Sequence, residues 1–150
     1  MKLFQSAGAN ARVDIQTRDH CPPHVHALNK ADRWEAKVEI SFIDNSVVLM
    51  EVMPAANVPP GRTLDMLLDD VAGNLDLCRR GWWDIYKDTC LVNRWVRITA
   101  TGMVTVLTTG GKGAVQVLGA KYDPGSNAVT LTLSDGAIVV MNAGDGVVER

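Results

Sequence analysis

The chain has 150 residues, of which 47% are hydrophobic and 21% charged, and its formal net charge at pH 7 is -2. This composition excludes a largely disordered chain, and the small net charge argues against a surface built wholly for nucleic acid. Cys21, Cys78 and Cys90 form no CxxC spacing, so we expect reduced thiols in a cytoplasmic protein. We expect no signal peptide and no membrane partner, because no apolar run of about 18 residues is present.

The first half of the chain predicts a small antiparallel sheet. Residues 11–17 alternate apolar and polar side chains, as half-buried strands do, and residues 24–28 read as the start of a second strand. Residues 34–42 show the clearest alternation in the chain. Residues 44–45 (Asp-Asn) then predict a hairpin turn into a partner strand over residues 46–53.

One main amphipathic helix is predicted next. Thr63 is a credible N-cap, Arg79 and Arg80 suit the helix C-terminus, and Gly81 suits the position just beyond it. Gly73 costs roughly 1 kcal/mol relative to alanine inside a helix, which predicts close packing there. The apolar stripe recurs at three- and four-residue steps through Leu64, Leu67, Leu68, Val71, Leu75 and Cys78.

The second half is rich in Val, Thr and Gly and shows no helical period. It predicts short strands joined by Gly-containing turns, over residues 96–100, 103–108, 114–122, 128–133 and 137–142. The sequence therefore predicts an α+β fold: a small antiparallel sheet with one main amphipathic helix, followed by a β-rich C-terminal hairpin region. The predicted domains are residues 1–90 and residues 91–150.

Every histidine lies in one short segment, Asp19-His20-Cys21-Pro22-Pro23-His24-Val25-His26. In extended backbone His24 and His26 project from the same face, close enough to share a metal ion. His20 is a candidate third ligand, which gives His20, His24 and His26 as predicted ligands of a divalent transition metal such as zinc. Asp19 and His20 are the candidate catalytic residues, Asp19 by orienting a histidine and His20 by moving a proton.

Each of these features also has a plain structural interpretation. The histidines of an edge strand can simply be solvated, and Asp19 can cap a turn. Trp82-Trp83 beside Arg79-Arg80 is a candidate nucleic-acid patch, but a helix end whose tryptophans fill the core is the favoured interpretation. Cys78 falls on the apolar stripe and is expected in the core rather than as a nucleophile.

The segment Arg18-Asp19-His20-Cys21-Pro22-Pro23-His24-Val25-His26 resembles the DH-x-PPH-x-H signature of the family known as domain of unknown function 4160. The resemblance covers about residues 13–86, with Trp83 similar to the tryptophan that closes that family's helical segment. Residues 119–142, with their Leu-Thr-Leu-Ser-Asp-Gly turn, are partly similar to domain of unknown function 2442. The pairing of the two families implies a toxin–antitoxin or phage-defence module.

Two functional hypotheses follow from the residues and from this resemblance. The first is a small metal- or histidine-dependent hydrolase or nuclease, with nucleic acid among its candidate substrates. The alternative is a non-enzymatic interaction or regulatory protein, antitoxin-like or a phage inhibitor of a host defence system, that binds a partner protein. Self-association into a homo-oligomer is a further expectation.

Overall fold

The computed structural model describes residues Met1–Arg150 and divides the chain into two compact units. The first unit comprises Met1–Ile40 and Ser46–Ile85, and the second comprises Ser41–Asn45 and Tyr86–Arg150. The predicted α+β fold class is confirmed, since the chain has two sheets and two α-helices. No helix combines the length and the apolar character needed to cross a membrane.

The first unit contains a five-stranded antiparallel sheet whose strands lie in chain order. The strands are β1 (Lys2–Ser6), β2 (Ala11–Asp14), β3 (His24–Asn29), β4 (Trp34–Glu39) and β5 (Val48–Met53). A short 3-10 helix (Ala55–Asn57) follows, and then two α-helices, α1 (Gly61–Ala72) and α2 (Leu75–Tyr86).

The two faces of this sheet differ sharply in polarity. Val13 pairs with Ala27, which in turn pairs with Ala36, and all three side chains are fully buried. One residue further along the strands, Asp14 pairs with His26, and His26 pairs with Lys37. Because side chains alternate along a strand, His24 and His26 lie on the polar face of the sheet, opposite its apolar core.

Two strand predictions need correction. Strand β1 was not predicted, because its sequence Lys-Leu-Phe-Gln-Ser lacks a regular alternation. The predicted tight turn at Asp44-Asn45 is wrong, although the pairing of β4 with β5 is present. Glu39 pairs with Val48, so residues 40–47 connect the strands, and Asp44 forms a β-bridge with Asp145 inside the second unit.

The single predicted helix is two helices. The first, α1, ends at Ala72 and is capped by Gly73, whose N–H donates to the carbonyl of Asp69, and α2 starts two residues after Gly73. Thr63 is not the N-cap, since α1 begins at Gly61 after Pro60. The prediction of close packing at Gly73 is also wrong, because a Cβ added there would meet only two backbone carbonyl oxygens, at 3.5 and 3.7 Å.

The closely packed glycine is Gly81, which lies inside α2 and not just beyond the end of a helix as predicted. A Cβ at Gly81 would lie 2.6 Å from Leu3 Cδ2 and 3.1 Å from Ile15 Cδ1. Arg79 is 1% exposed and pairs with Asp76 at 2.9 Å, so it does not act as a free C-terminal cation. Trp82 is buried as well, so Arg79 and Trp82 lie in the core as the favoured interpretation predicts, whereas Arg80 is exposed and Trp83 is half-buried.

The cysteines differ from the expected three reduced thiols. Cys21 and Cys90 are not free thiols, whereas Cys78 is free and buried. Burial raises the pKa of the Cys78 thiol to about 12, with Arg79 opposing the shift. The thiol therefore stays protonated at neutral pH, as expected of a core residue rather than a nucleophile.

The second unit is a six-stranded sheet of β6 (Trp95–Ile98), β7 (Val104–Leu107), β8 (Val115–Asp123), β9 (Ala128–Leu133), β10 (Ile138–Asn142) and β11 (Val147–Val148). Their order in the sheet is β10-β9-β8-β6-β7-β11, and all pairings are antiparallel except that of β11 with β7. The five predicted strands are present, whereas β11 was not predicted. An edge-to-face contact of Phe42 with Tyr122, at 4.9 Å between ring centroids, adds to the core of this unit.

Gly81→Ala is expected to lower the free energy of unfolding by about 1–2 kcal/mol, because the added methyl group overpacks the contact with Leu3 and Ile15. Gly73→Ala is the matched control, and it should be neutral or stabilising, because the backbone there is helical and an added Cβ would make only ordinary van der Waals contacts. Urea denaturation of both variants measures the difference. Equal effects of the two substitutions would contradict this account of the helix packing.

Candidate metal centre

Three side chains converge on the polar face of the first sheet. His24 and His26 stand two residues apart on β3, and Asp19 belongs to the loop that joins β2 to β3. The Nε2 atom of His26 lies 3.0 and 2.9 Å from the two carboxylate oxygens of Asp19. The Nε2 atom of His24 lies 3.3 Å from Asp19 Oδ1. All three donor groups lie within 4.8 Å of one another.

The opposite ring nitrogens of both histidines are held by fixed acceptors. His24 Nδ1 lies 2.8 Å from the carbonyl oxygen of Pro22. A carbonyl oxygen only accepts, so this nitrogen carries the proton. His26 Nδ1 lies 2.7 Å from Glu35 Oε1, and it donates for the same reason. In both neutral rings the lone pair is therefore on Nε2, facing Asp19.

This arrangement leaves an electrostatic conflict at Asp19. An ionised carboxylate is an acceptor only, and two neutral imidazoles would direct Nε2 lone pairs at it. The conflict is removed by a proton on each Nε2 or by a cation bound among the three groups. A tetrahedral zinc ion, with ligand distances of about 2.0–2.1 Å, separates its ligand atoms by roughly 3.3 Å. The observed separations from Asp19, 2.9 Å for His26 and 3.3 Å for His24, fit that geometry with small adjustments.

The site is shielded from water. His24 and His26 are 5% and 2% exposed, and the side chain of Asp19 is 12% exposed. The His24 ring also contacts the buried Trp82 ring, at 5.5 Å between centroids. In such surroundings charge–charge interactions are stronger than at an open surface, which favours a cation among the three groups.

The structure brings together some of the predicted site residues and not others. His24 and His26, predicted as metal ligands, are joined by Asp19, a predicted catalytic residue. His20 is exposed and lies outside this group. Glu35 was missed by the sequence reasoning. The sequence signal that could have found Glu35 is its position on the polar face of β4, two residues from Lys37, the residue that pairs with His26.

Comparisons with protein-family models, with curated proteins and with solved structures give no match to this chain. The resemblance to domain of unknown function 4160 and to domain of unknown function 2442 therefore stays a prediction.

Asp14, directly across the strand pair from His26, is a second carboxylate in unusual surroundings. Its Oδ1 atom is buried and has no hydrogen-bond partner. Burial raises the pKa of Asp14 above 3.8, and the nearby charge of Arg12 opposes the shift. A raised folded-state pKa means that the contribution of Asp14 to stability is fully present at acid pH and is lost as the pH rises through that pKa.

Asp14→Asn is therefore expected to raise the melting temperature at pH 7 relative to the original chain, because no buried charge remains. The gain should shrink towards zero near pH 3, where the carboxyl of Asp14 is neutral as well. Thermal melts across this range, run with a chelator, measure the difference. A difference that does not change with pH would show that burial of the Asp14 charge carries no cost.

Proposed function

We propose that this chain is a metal-dependent hydrolase that holds one divalent transition metal ion, zinc foremost, through Asp19, His24 and His26. The observation that carries the proposal is the shared direction of the two imidazoles. Each has its Nδ1 atom fixed by an acceptor and its Nε2 atom turned towards the same carboxylate. Metal-binding histidines commonly donate their second ring N–H to a carbonyl or a carboxylate in this way.

The donor set supports a catalytic rather than a purely structural role. Two imidazoles and one carboxylate suit zinc or iron(II), and three protein ligands leave a coordination position for water. Zinc in such a site lowers the pKa of a bound water towards neutrality, which supplies a nucleophile for hydrolysis. Within the chain, Glu35 and the Pro22 carbonyl orient the two rings, and Glu35 also accepts from Gln16 Nε2 at 3.2 Å.

Protein purified without a chelator or a histidine tag is expected to contain about one equivalent of transition metal. His24→Gln and His26→Gln should each lose most of it, while the exposed His20→Gln is the matched control and should retain it. Elemental analysis gives the stoichiometry. Added zinc should also raise the melting temperature, since ligand at about 100 times its Kd contributes roughly 2.7 kcal/mol.

Less than about a tenth of an equivalent, with no rise in melting temperature on adding zinc, would refute the metal centre. Equal metal loss in His20→Gln would refute the ligand assignment instead. The toxin–antitoxin or phage-defence setting rests on the family resemblance and stays a prediction.

A non-enzymatic interaction protein is the second candidate, and one observation favours it. Strand β10 is an edge of the second sheet, and it exposes Ile138 (69%) and Val140 (66%). Unprotected apolar edge strands pair with strands of other chains. In that case the partner is a protein, or a second copy of this chain, and the histidine segment is structural.

The two candidates predict opposite results for two substitutions. His26→Gln should abolish metal-dependent hydrolysis of p-nitrophenyl acetate and leave the oligomeric state unchanged if the chain is a hydrolase. Val140→Lys should change the oligomeric state, and not the hydrolysis, if the edge strand is the functional surface. Absorbance at 400 nm and light scattering provide the two readouts. Hydrolysis that survives His26→Gln would count against the proposed enzyme.

A further inference from the structure

The polar face of the first sheet continues past the metal centre into a cavity of about 540 Å³. Register shows the continuity: Gln5 pairs with Arg12, Arg12 with Leu28, and in the next row Asp14 pairs with His26. Gln5, Arg12, Leu28 and Asp14 all line the cavity. Asp14 therefore borders the cavity and stands directly across the strand pair from one of the proposed metal ligands.

The walls of this cavity are rich in hydrogen-bond donors. Arg12 and Lys30 contribute positive charges, and Gln5 and Asn10 contribute amide groups. The nearest approach of Arg12 to Asp14 is from Nε, at 3.6 Å, and the terminal NH2 groups of the guanidinium form no hydrogen bond within the chain, so they can donate to a ligand. Lys30 is exposed and forms no ion pair. Apart from Asp14, the lining carries no negative charge.

We propose that this cavity binds the phosphate group of a small phosphorylated substrate, at the end formed by Arg12 and Lys30. The proposal rests on the proposed hydrolase function, and it adds the class of substrate. Two cations and two amides match the charge and the several acceptor oxygens of a phosphate better than the two oxygens of a carboxylate.

The position of Asp14 gives the ligand a direction. Its carboxylate, at the cavity end beside His26, repels a phosphate placed there and favours one placed towards Lys30. The remainder of the molecule then extends along the apolar surface of Leu28 towards the metal centre. The phosphate is thus a recognition group, held apart from the bond that is hydrolysed, and binding energy gained there positions the reacting part.

The experiment titrates the full-length, metal-free protein with inorganic phosphate and follows binding by calorimetry and by backbone amide NMR shifts. We expect saturable binding with shifts at Gln5, Arg12 and Lys30, and a Kd at least about tenfold weaker in Arg12→Gln/Lys30→Gln. Arg62→Gln/Lys112→Gln is the matched control, since it removes the same charge from exposed positions outside the cavity. It should bind phosphate as the original chain does.

The same titration separates failure of this proposal from failure of the metal centre. Absent or non-saturable phosphate binding, or equal binding by both double variants, would overturn the phosphate site while the zinc stoichiometry of the chain stands. Loss of phosphate binding in His26→Gln would also overturn it, because the anion would then bind at the histidines. Acetate binding as tightly as phosphate would overturn the assignment of phosphate as the recognised group. Saturable phosphate binding by a chain that takes up no zinc when the metal is added would support the anion site and refute the hydrolase.

Discussion

The carboxylate of Asp19, facing the Nε2 atoms of His24 and His26, is the interaction on which the account of the first unit depends. It joins the loop between β2 and β3 to the polar face of the sheet, where side chains that would otherwise be solvated are almost fully buried. Buried polar groups persist only when their partners are supplied. Here an acceptor holds the far side of each ring, so both Nε2 atoms face the carboxylate of Asp19.

The sheet supplies the geometry of that site. Strand alternation places His24 and His26 on one face, and antiparallel pairing with β4 brings Glu35 within 2.7 Å of His26 Nδ1. The short connection through Pro22 turns its carbonyl towards His24 Nδ1. Pairing with β2 then places Asp14 and Arg12 beside these histidines, so the proposed metal centre and the proposed phosphate site lie on one continuous face of the sheet.

Local patterns predicted much of this arrangement. The alternation of side chains along β3 and β4 predicted which residues share a face of each strand. The placement of His24 and His26 side by side on one face followed from it. The role of Glu35 could not be predicted, because it depends on the register between strands rather than on spacing along one strand. The exposure of His20 could not be predicted for a different reason, since the backbone geometry of the loop after Asp19 decides which side chains turn inward. The apolar stripe also ran through Gly73 without interruption, so the break between α1 and α2 left no periodic signal.

The most direct test of the central claim is a crystal structure of the zinc-loaded protein with anomalous diffraction data collected above and below the zinc absorption edge. The account predicts one anomalous peak within about 2.0–2.2 Å of His24 Nε2, His26 Nε2 and an oxygen of Asp19. His26 Nδ1 should still donate to Glu35 in that structure. A peak at His20 or elsewhere on the surface, with Asp19 still hydrogen-bonded to both imidazoles, would contradict the account.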